Sequence, residues 1–253
     1  MEFKEESFQP RGGGGGWSFV NTHSVHNTSA ASLTAGHVNF GQPTGWNFTP
    51  STTEGTFNFW FRYDDVVGTL LSNRTNSVAG THVALNGGGN LDCYWGSTYA
   101  GTSGLSLADG AWHFVTWTVR NEGGTYVGRV FVDGNTTSSA NVSPAGSTPS
   151  TGIDMLMGQR RGSNNTDYPY GAYSNAWFAH LTYFSVGFTG TESSELYNSG
   201  TPMDPRLHSR AASLGNYLPL GSDDTSPTLT DRVGSAVGTM TFTATIAIEA
   251  VHP

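Results

Sequence analysis

Tyr168, Tyr170 and Tyr173 crowd the stretch from Asn164 to Tyr173, where they stand beside Asn164, Asn165 and Asp167. Phenol rings offer flat apolar faces, and amides and carboxylates offer directed hydrogen bonds, which together suit a sugar surface. The same stretch also reads as an Ω-loop packed by its own tyrosines, or as a protein interface, where tyrosine is enriched. The sequence leaves all three readings open. Hydrolytic chemistry is harder to assemble. Asp64-Asp65 and Asp223-Asp224 are adjacent, so their side chains point apart in extended chain, while Glu192 and Glu195 fall on a predicted helix. His113 follows Trp112 inside a predicted strand with no Ser-His-Asp order around it, which suits a hydrogen-bonded structural histidine. His23 and His26 lack a third metal ligand at comparable spacing, and Cys93 has no neighbouring histidine to activate it.

The elements that must position these groups are short strands. Only 12% of the 253 residues are charged, glycine is abundant at 34 residues, and 14 Phe, 10 Tyr and 7 Trp supply core volume. A single cysteine excludes an internal disulfide. The net charge of -8, with Lys4 the only lysine and no basic stripe, argues against nucleic-acid binding. The start, Met-Glu-Phe-Lys-Glu-Glu, lacks the pattern of a signal peptide, and no apolar run approaches a membrane span. The expectation is synthesis in a host cytoplasm without export. Residues 1–16 read as an arm ending in five glycines, with Phe3 and Phe8 as anchors and Arg11 before the glycine run; residues 17–253 read as one domain.

From Thr56 to Tyr63, strict alternation puts Phe57, Phe59 and Phe61 on one face. Further strands are predicted over Leu91–Trp95, Trp112–Val119, Tyr126–Val132, Ala176–Val186, Tyr217–Leu220 and Met240–Ile248, with a long loop over 136–152 and a polar turn over 223–232. Thr189 and Glu192 have the spacing of a capping box, and Gly200 marks the end of one short helix.

The segments Phe57-Asn58-Phe59-Trp60-Phe61, Asp109-Gly110-Ala111-Trp112-His113-Phe114, Arg129-Val130-Phe131-Val132-Asp133-Gly134, Met157-Gly158-Gln159 and Ala179-His180-Leu181-Thr182-Tyr183-Phe184 occur in that order. Between about Val38 and Gly200 the chain thereby resembles the laminin-G-like branch of the concanavalin A-like lectin and glucanase superfamily. The resemblance implies an all-β, two-sheet antiparallel jelly-roll sandwich with one short helix, and fold more than function. Glucanases of that superfamily set carboxylates along one strand as Glu-x-Asp-x-Glu or a near variant, which this chain lacks, so no enzyme is expected. Calcium-binding laminin-G relatives bring forward Asp223, Asp224 and Asp231 as weak calcium ligands, against a plainer reading as solvated turn residues. The tail, with Leu196-Tyr197-Asn198-Ser199-Gly200-Thr201-Pro202 and Asp231-Arg232-Val233-Gly234, resembles laminin-G-like proteins of tailed-phage virions. The resulting expectation is a non-enzymatic virion structural protein, a capsid decoration or other external component contacting capsid proteins and its own copies. The alternative is a carbohydrate-binding, lectin-like module that adheres to surface glycans. No cofactor other than calcium, no nucleic acid and no membrane partner is expected.

Overall fold

A computed structural model describes residues 19, 21–28, 36–47, 52–64, 68–75, 80–96, 98–102, 104–142, 152–162, 176–221, 224–241 and 246–253. Strands β1 (Ser24–Asn27) and β2 (His37–Asn39) precede the long β3 (Gly55–Tyr63). Next come β4 (Gly68–Ser72), β5 (His82–Leu85), β6 (Leu91–Trp95) and β7 (Thr98–Gly101). The middle holds β8 (Trp112–Glu122), β9 (Thr125–Val132), β10 (Ala140–Val142), β11 (Leu156–Met157) and β12 (Ala176–Phe184). After helix α1 (Gly190–Tyr197) follow β13 (Leu214–Leu218), β14 (Thr228–Thr230), β15 (Val237–Thr241) and β16 (Ile246–Glu249).

These strands form two antiparallel eight-stranded sheets. Sheet A runs β10-β9-β8-β3-β12-β1-β16, with β13 also on β12; sheet B runs β14-β15-β2-β11-β4-β5-β6-β7. The expected sandwich is therefore the observed one. Between the sheets, Phe57, Phe59, Phe61 and Tyr63 of β3 meet Val115, Trp117 and Val119 of β8 and, from sheet B, Leu70, Val83, Leu91, Cys93 and Trp95. Burying each phenylalanine contributes roughly 1.5–3 kcal/mol relative to exposure.

The opposite face of sheet A is also buried. Trp60, Phe114, Ala179 and Phe184 form a second cluster that Phe188 and Leu196 close from above. The helix is fixed at its start by the expected capping box: Thr189 Oγ1 accepts from Glu192 N (3.2 Å), and Glu192 Oε2 accepts from Thr189 N (2.6 Å), worth about 1 kcal/mol. A polar chain docks it further. Ser193 Oγ donates to Thr116 Oγ1 (2.7 Å), Thr116 to Asn58 Oδ1 (2.6 Å), and Asn58 Nδ2 to Thr182 Oγ1 (3.2 Å). Tyr197 then lies over Gly134, where a Cβ would come within 2.3 Å of the ring.

The two segments that carry the resemblance most specifically are tied together by His113. Its Nδ1 lies 2.7 Å from Asp133 Oδ2 and its Nε2 3.1 Å from Asp109 Oδ1, while Asp133 Oδ1 accepts from Phe114 N at 2.7 Å. Gly110 (φ +76°) and Gly134 (φ +69°) supply the left-handed backbone these turns require. In β12, the bulge at His180 (φ 54°) lets one strand serve two partners on the same edge, β1 before the bulge and β13 after it. His180 N donates to Pro219 O (2.9 Å), and its ring nitrogen meets Tyr217 Oη at 2.8 Å.

Three segments differ from expectation. Met240–Ile248, read as one strand, belongs to both sheets: Met240 pairs with Val38 in sheet B and Ile246 with Asn27 in sheet A. Both halves send apolar side chains into the same inter-sheet core, so alternation cannot show the crossing. The predicted loop over 136–152 contains β10, and the predicted polar turn over 223–232 contains β14; both are short strands held by pairing rather than by apolar pattern.

Two histidines should pull the stability–pH curve in opposite directions. Burial, aided by the charge of His252, holds His180 down to about 3. The unfolded chain therefore takes up this proton first, and stability falls as pH drops from about 6.5 towards 3. Burial opposes protonation of His113, yet hydrogen bonds and charge from Asp133 and Asp109 raise it above its ordinary value. Its contribution is complete below the unfolded value of about 6.5 and disappears as pH rises through the folded value. In thermal melts, His180→Asn should flatten the acid limb, whereas His113→Asn should cost more at about pH 5.5 than at about pH 8.5. An unchanged acid limb in the first, or a cost that grows with pH in the second, contradicts these assignments.

Candidate functional site

The outer face of sheet B, at its β5-β6-β7 end, gathers the rings and charges that the core does not use. Alternation in β6 sends Cys93 and Trp95 inward and leaves Asp92 and Tyr94 outward. Strand pairing aligns Ser72, His82, Tyr94 and Tyr99 as direct neighbours across four strands. The rings follow that register: His82 to Tyr94 is 5.6 Å between centroids and Tyr94 to Tyr99 is 5.1 Å. Tyr99, 52% exposed, is the outermost ring.

The next row fixes the orientation of Tyr99. Asp92 Oδ1 accepts from Tyr99 Oη (2.9 Å) and from Asn86 Nδ2 (2.9 Å). Opposite Asp92 in the register stands Gly101, where a Cβ would come within 2.3 Å of Tyr99 Oη, so the missing side chain is what lets the phenol lie across to Asp92. The hydrogen bond to Asp92 is the first cause that raises the Tyr99 phenol above its usual range and keeps it a donor. Asn86 is itself held by the turn after β5, since its Oδ1 accepts from Gly88 N (2.9 Å) and Asn90 N (3.3 Å).

Arg74, just beyond β4, lays its guanidinium over Tyr94 with 4.1 Å from Cζ to the ring centre. Burial lowers its pKa, which the charge of Tyr94 partly offsets. Beneath it His82 is buried and its Nδ1 has no hydrogen-bond partner; burial, then Arg160 and Arg74, hold it well below its ordinary value, so it is a neutral imidazole. On the other side of the strand, burial pushes the Cys93 thiol up and leaves it inert. The face thus offers two adjacent phenols inclined at 50° to each other, an amide, a carboxylate with one oxygen already bonded twice, and a cation.

A separate hollow of about 610 Å³ opens at one rim, lined among others by Phe40, Gly45, Tyr183, Asn216, Ser235 and Val237. Among the described residues no charged side chain lines it, and Asn216 is committed to structure, accepting from Trp46 Nε1 (2.7 Å) and donating to Asp231 Oδ2 (2.6 Å).

Of the residues singled out in the sequence, Asn164, Asp167, Tyr168, Tyr170 and Tyr173, the arm residues Phe3, Phe8 and Arg11, and Asp223 lie outside the described residues. Asp224 and Asp231 are described, and N–H groups fill them. Asp224 accepts from Gly221 N, Thr230 N and Arg232 Nη2; Asp231 accepts from Tyr217 N, Val233 N, Ala236 N and Asn216 Nδ2. Their geometry is that of turn-holding carboxylates. Among the described residues no group of three or more His, Cys, Asp or Glu side chains is placed to hold a metal ion. His23 and His26 go to different partners, Thr22 (2.9 Å) and Glu249 (2.7 Å). The Tyr94–Tyr99 platform was missed because register, not spacing, assembles it; the alternation Asp92, Tyr94 against Cys93, Trp95 was its one local sign.

A profile described as the concanavalin A-like lectin/glucanases superfamily matches residues 18–178. Among solved structures, a candidate carbohydrate-binding protein from Bacteroides ovatus superposes with a TM-score of 0.63 at 16% identity, over 92% of this chain and 61% of that one. The chain therefore spans under two thirds of that protein's length. A heptameric SAP-like pentraxin from Limulus polyphemus gives a TM-score of 0.54 at 14% identity, over 87% of this chain and 97% of that one. None of the curated proteins matches. At these identities the structures speak for the fold, whereas the profile covers well over half of the sequence: the chain belongs to the concanavalin A-like lectin/glucanases superfamily.

Proposed function

We propose that the chain is a non-enzymatic carbohydrate-binding module whose sugar platform is the Tyr94–Tyr99 face of sheet B. The observation that carries this reading is an exposed ring held in a fixed pose. Tyr99 is anchored through Asp92 and the absent side chain at Gly101, so its face is presented without the entropy cost of ordering a free side chain. A pyranose stacks its C–H face on such a ring, and its hydroxyls find Asp92 Oδ2 and the Asn86 amide that is hydrogen-bonded to Asp92 Oδ1. The Bacteroides ovatus protein, described as a candidate carbohydrate-binding protein, shares the fold and supports the class of ligand.

Catalysis on sugars needs two carboxyls across one glycosidic bond, separated by about 5–9.5 Å depending on mechanism. The platform brings together Asp92, engaged by two donors, and no second carboxylate is described within its cluster of rings. The capsid-decoration reading draws its motivation from residues 1–16 and the tail, and it enters as the competing outcome of the test.

On a glycan array the parent protein should bind a defined set of saccharides without releasing reducing ends. Tyr99→Ala should weaken binding roughly three- to tenfold while changing folding stability by no more than about 0.5 kcal/mol. Gly101→Ala, which touches no sugar in this scheme, should weaken it too by displacing the ring. Hydrolysis abolished by Asp92→Asn would overturn the non-enzyme reading. Silence of the parent across the array, together with assembly onto a particle through protein contacts, would replace the carbohydrate reading with the virion one.

A further inference from the structure

Seven of this protein's arginines end on a carboxylate: Arg62 on Asp64, Arg120 and Arg129 on Glu122, Arg161 on Asp154, Arg206 on Asp204, Arg210 on Glu192 and Arg232 on Asp224. In a chain with 19 acidic against 11 basic residues, that is the expected fate of a guanidinium. Arg74 departs from it. It lies half-buried against Tyr94, and no described carboxylate lies within ion-pair distance of it. The nearest acid on the platform, Asp92, is turned to Tyr99 and Asn86 instead. Desolvating a cation without pairing it costs free energy, and the cost is recovered when an anion arrives.

The layout gives the platform two chemically distinct ends. One end holds Asp92 and Asn86, suited to hydroxyls; the other holds Arg74, whose Cζ lies 4.1 Å from the ring centre of Tyr94, itself 5.1 Å from the ring centre of the exposed Tyr99. We propose that this face selects carboxylate-bearing saccharides: the sugar ring stacks on Tyr99 and its carboxylate reaches the planar fork of Arg74, which matches carboxylate geometry as an ammonium does not. This inference rests on the carbohydrate reading above and names the ligand class within it.

Binding is compared by calorimetry across matched probes: trigalacturonate against galactotriose, sialyllactose against lactose, and a sulfated lactose as the non-carboxylate anion. At least one carboxylated probe should bind roughly tenfold or more tightly than its neutral partner, with the margin shrinking as salt rises. Arg74→Gln should remove that margin and Arg74→Lys should keep part of it, with melting curves confirming that both variants are folded. The comparison of probes on the parent protein stands even if a variant misfolds. Neutral probes binding as well as carboxylated ones, a margin that survives Arg74→Gln, or binding of the sulfated probe alone overturns the carboxylate selectivity and leaves the carbohydrate reading intact. No binding by any probe overturns both.

Discussion

Strand β3 buries both of its faces, and that demand shapes the molecule. Phe57, Phe59, Phe61 and Tyr63 fill the space between the sheets, while Thr56, Asn58 and Trp60 on the other side lie just as deep. A strand with two dry faces must be central and must be roofed. Pairing with β8 and β12 supplies the first condition, and α1 with Phe188 supplies the second. The polar members of the roofed face are tolerated because Asn58, Thr116, Thr182 and Ser193 satisfy one another. Truncating Phe59 would leave a cavity worth about 3–5 kcal/mol, a large share of the stability of a domain this size.

The roof has a consequence for sheet B. Among the described residues the single α-helix is spent on sheet A, and at the β6-β7 end of sheet B the outer face carries the partly exposed side chains of Asp92, Tyr94 and Tyr99. Those side chains are rings, amides and unlike charges, arranged in rows by the register. Arg74 over Tyr94 and Asp92 under Tyr99 hold the two phenols rigidly at 5.1 Å. A rigid aromatic surface with polar ends is a recognition surface for a ligand with flat apolar faces and a polar periphery.

Much of the fold was legible because it is local. The alternation of β3, the Thr189–Glu192 capping box and the turn glycines Gly110 and Gly134 each encode their structure within a few residues. The resemblance carried by Asp109–His113 and Asp133–Gly134 has a physical core: one histidine bridging the turn at Asp109 and the turn at Asp133. What was not legible is assembled across strands. Arg74, His82, Tyr94 and Tyr99 come from four separate segments and meet only once β4, β5, β6 and β7 are in register. The division of Met240–Ile248 between two sheets was hidden for a related reason, since both halves obey the same alternation towards one core.

The central claim is that sugar sits on the Tyr99 face of sheet B, and a crystal structure of the protein soaked with a bound oligosaccharide tests it most directly. The account predicts a pyranose ring stacked on Tyr99, with hydroxyls towards Asp92 and Asn86. Sugar density in the rim hollow beside Phe40 and Tyr183, with Tyr99 bare, would contradict it.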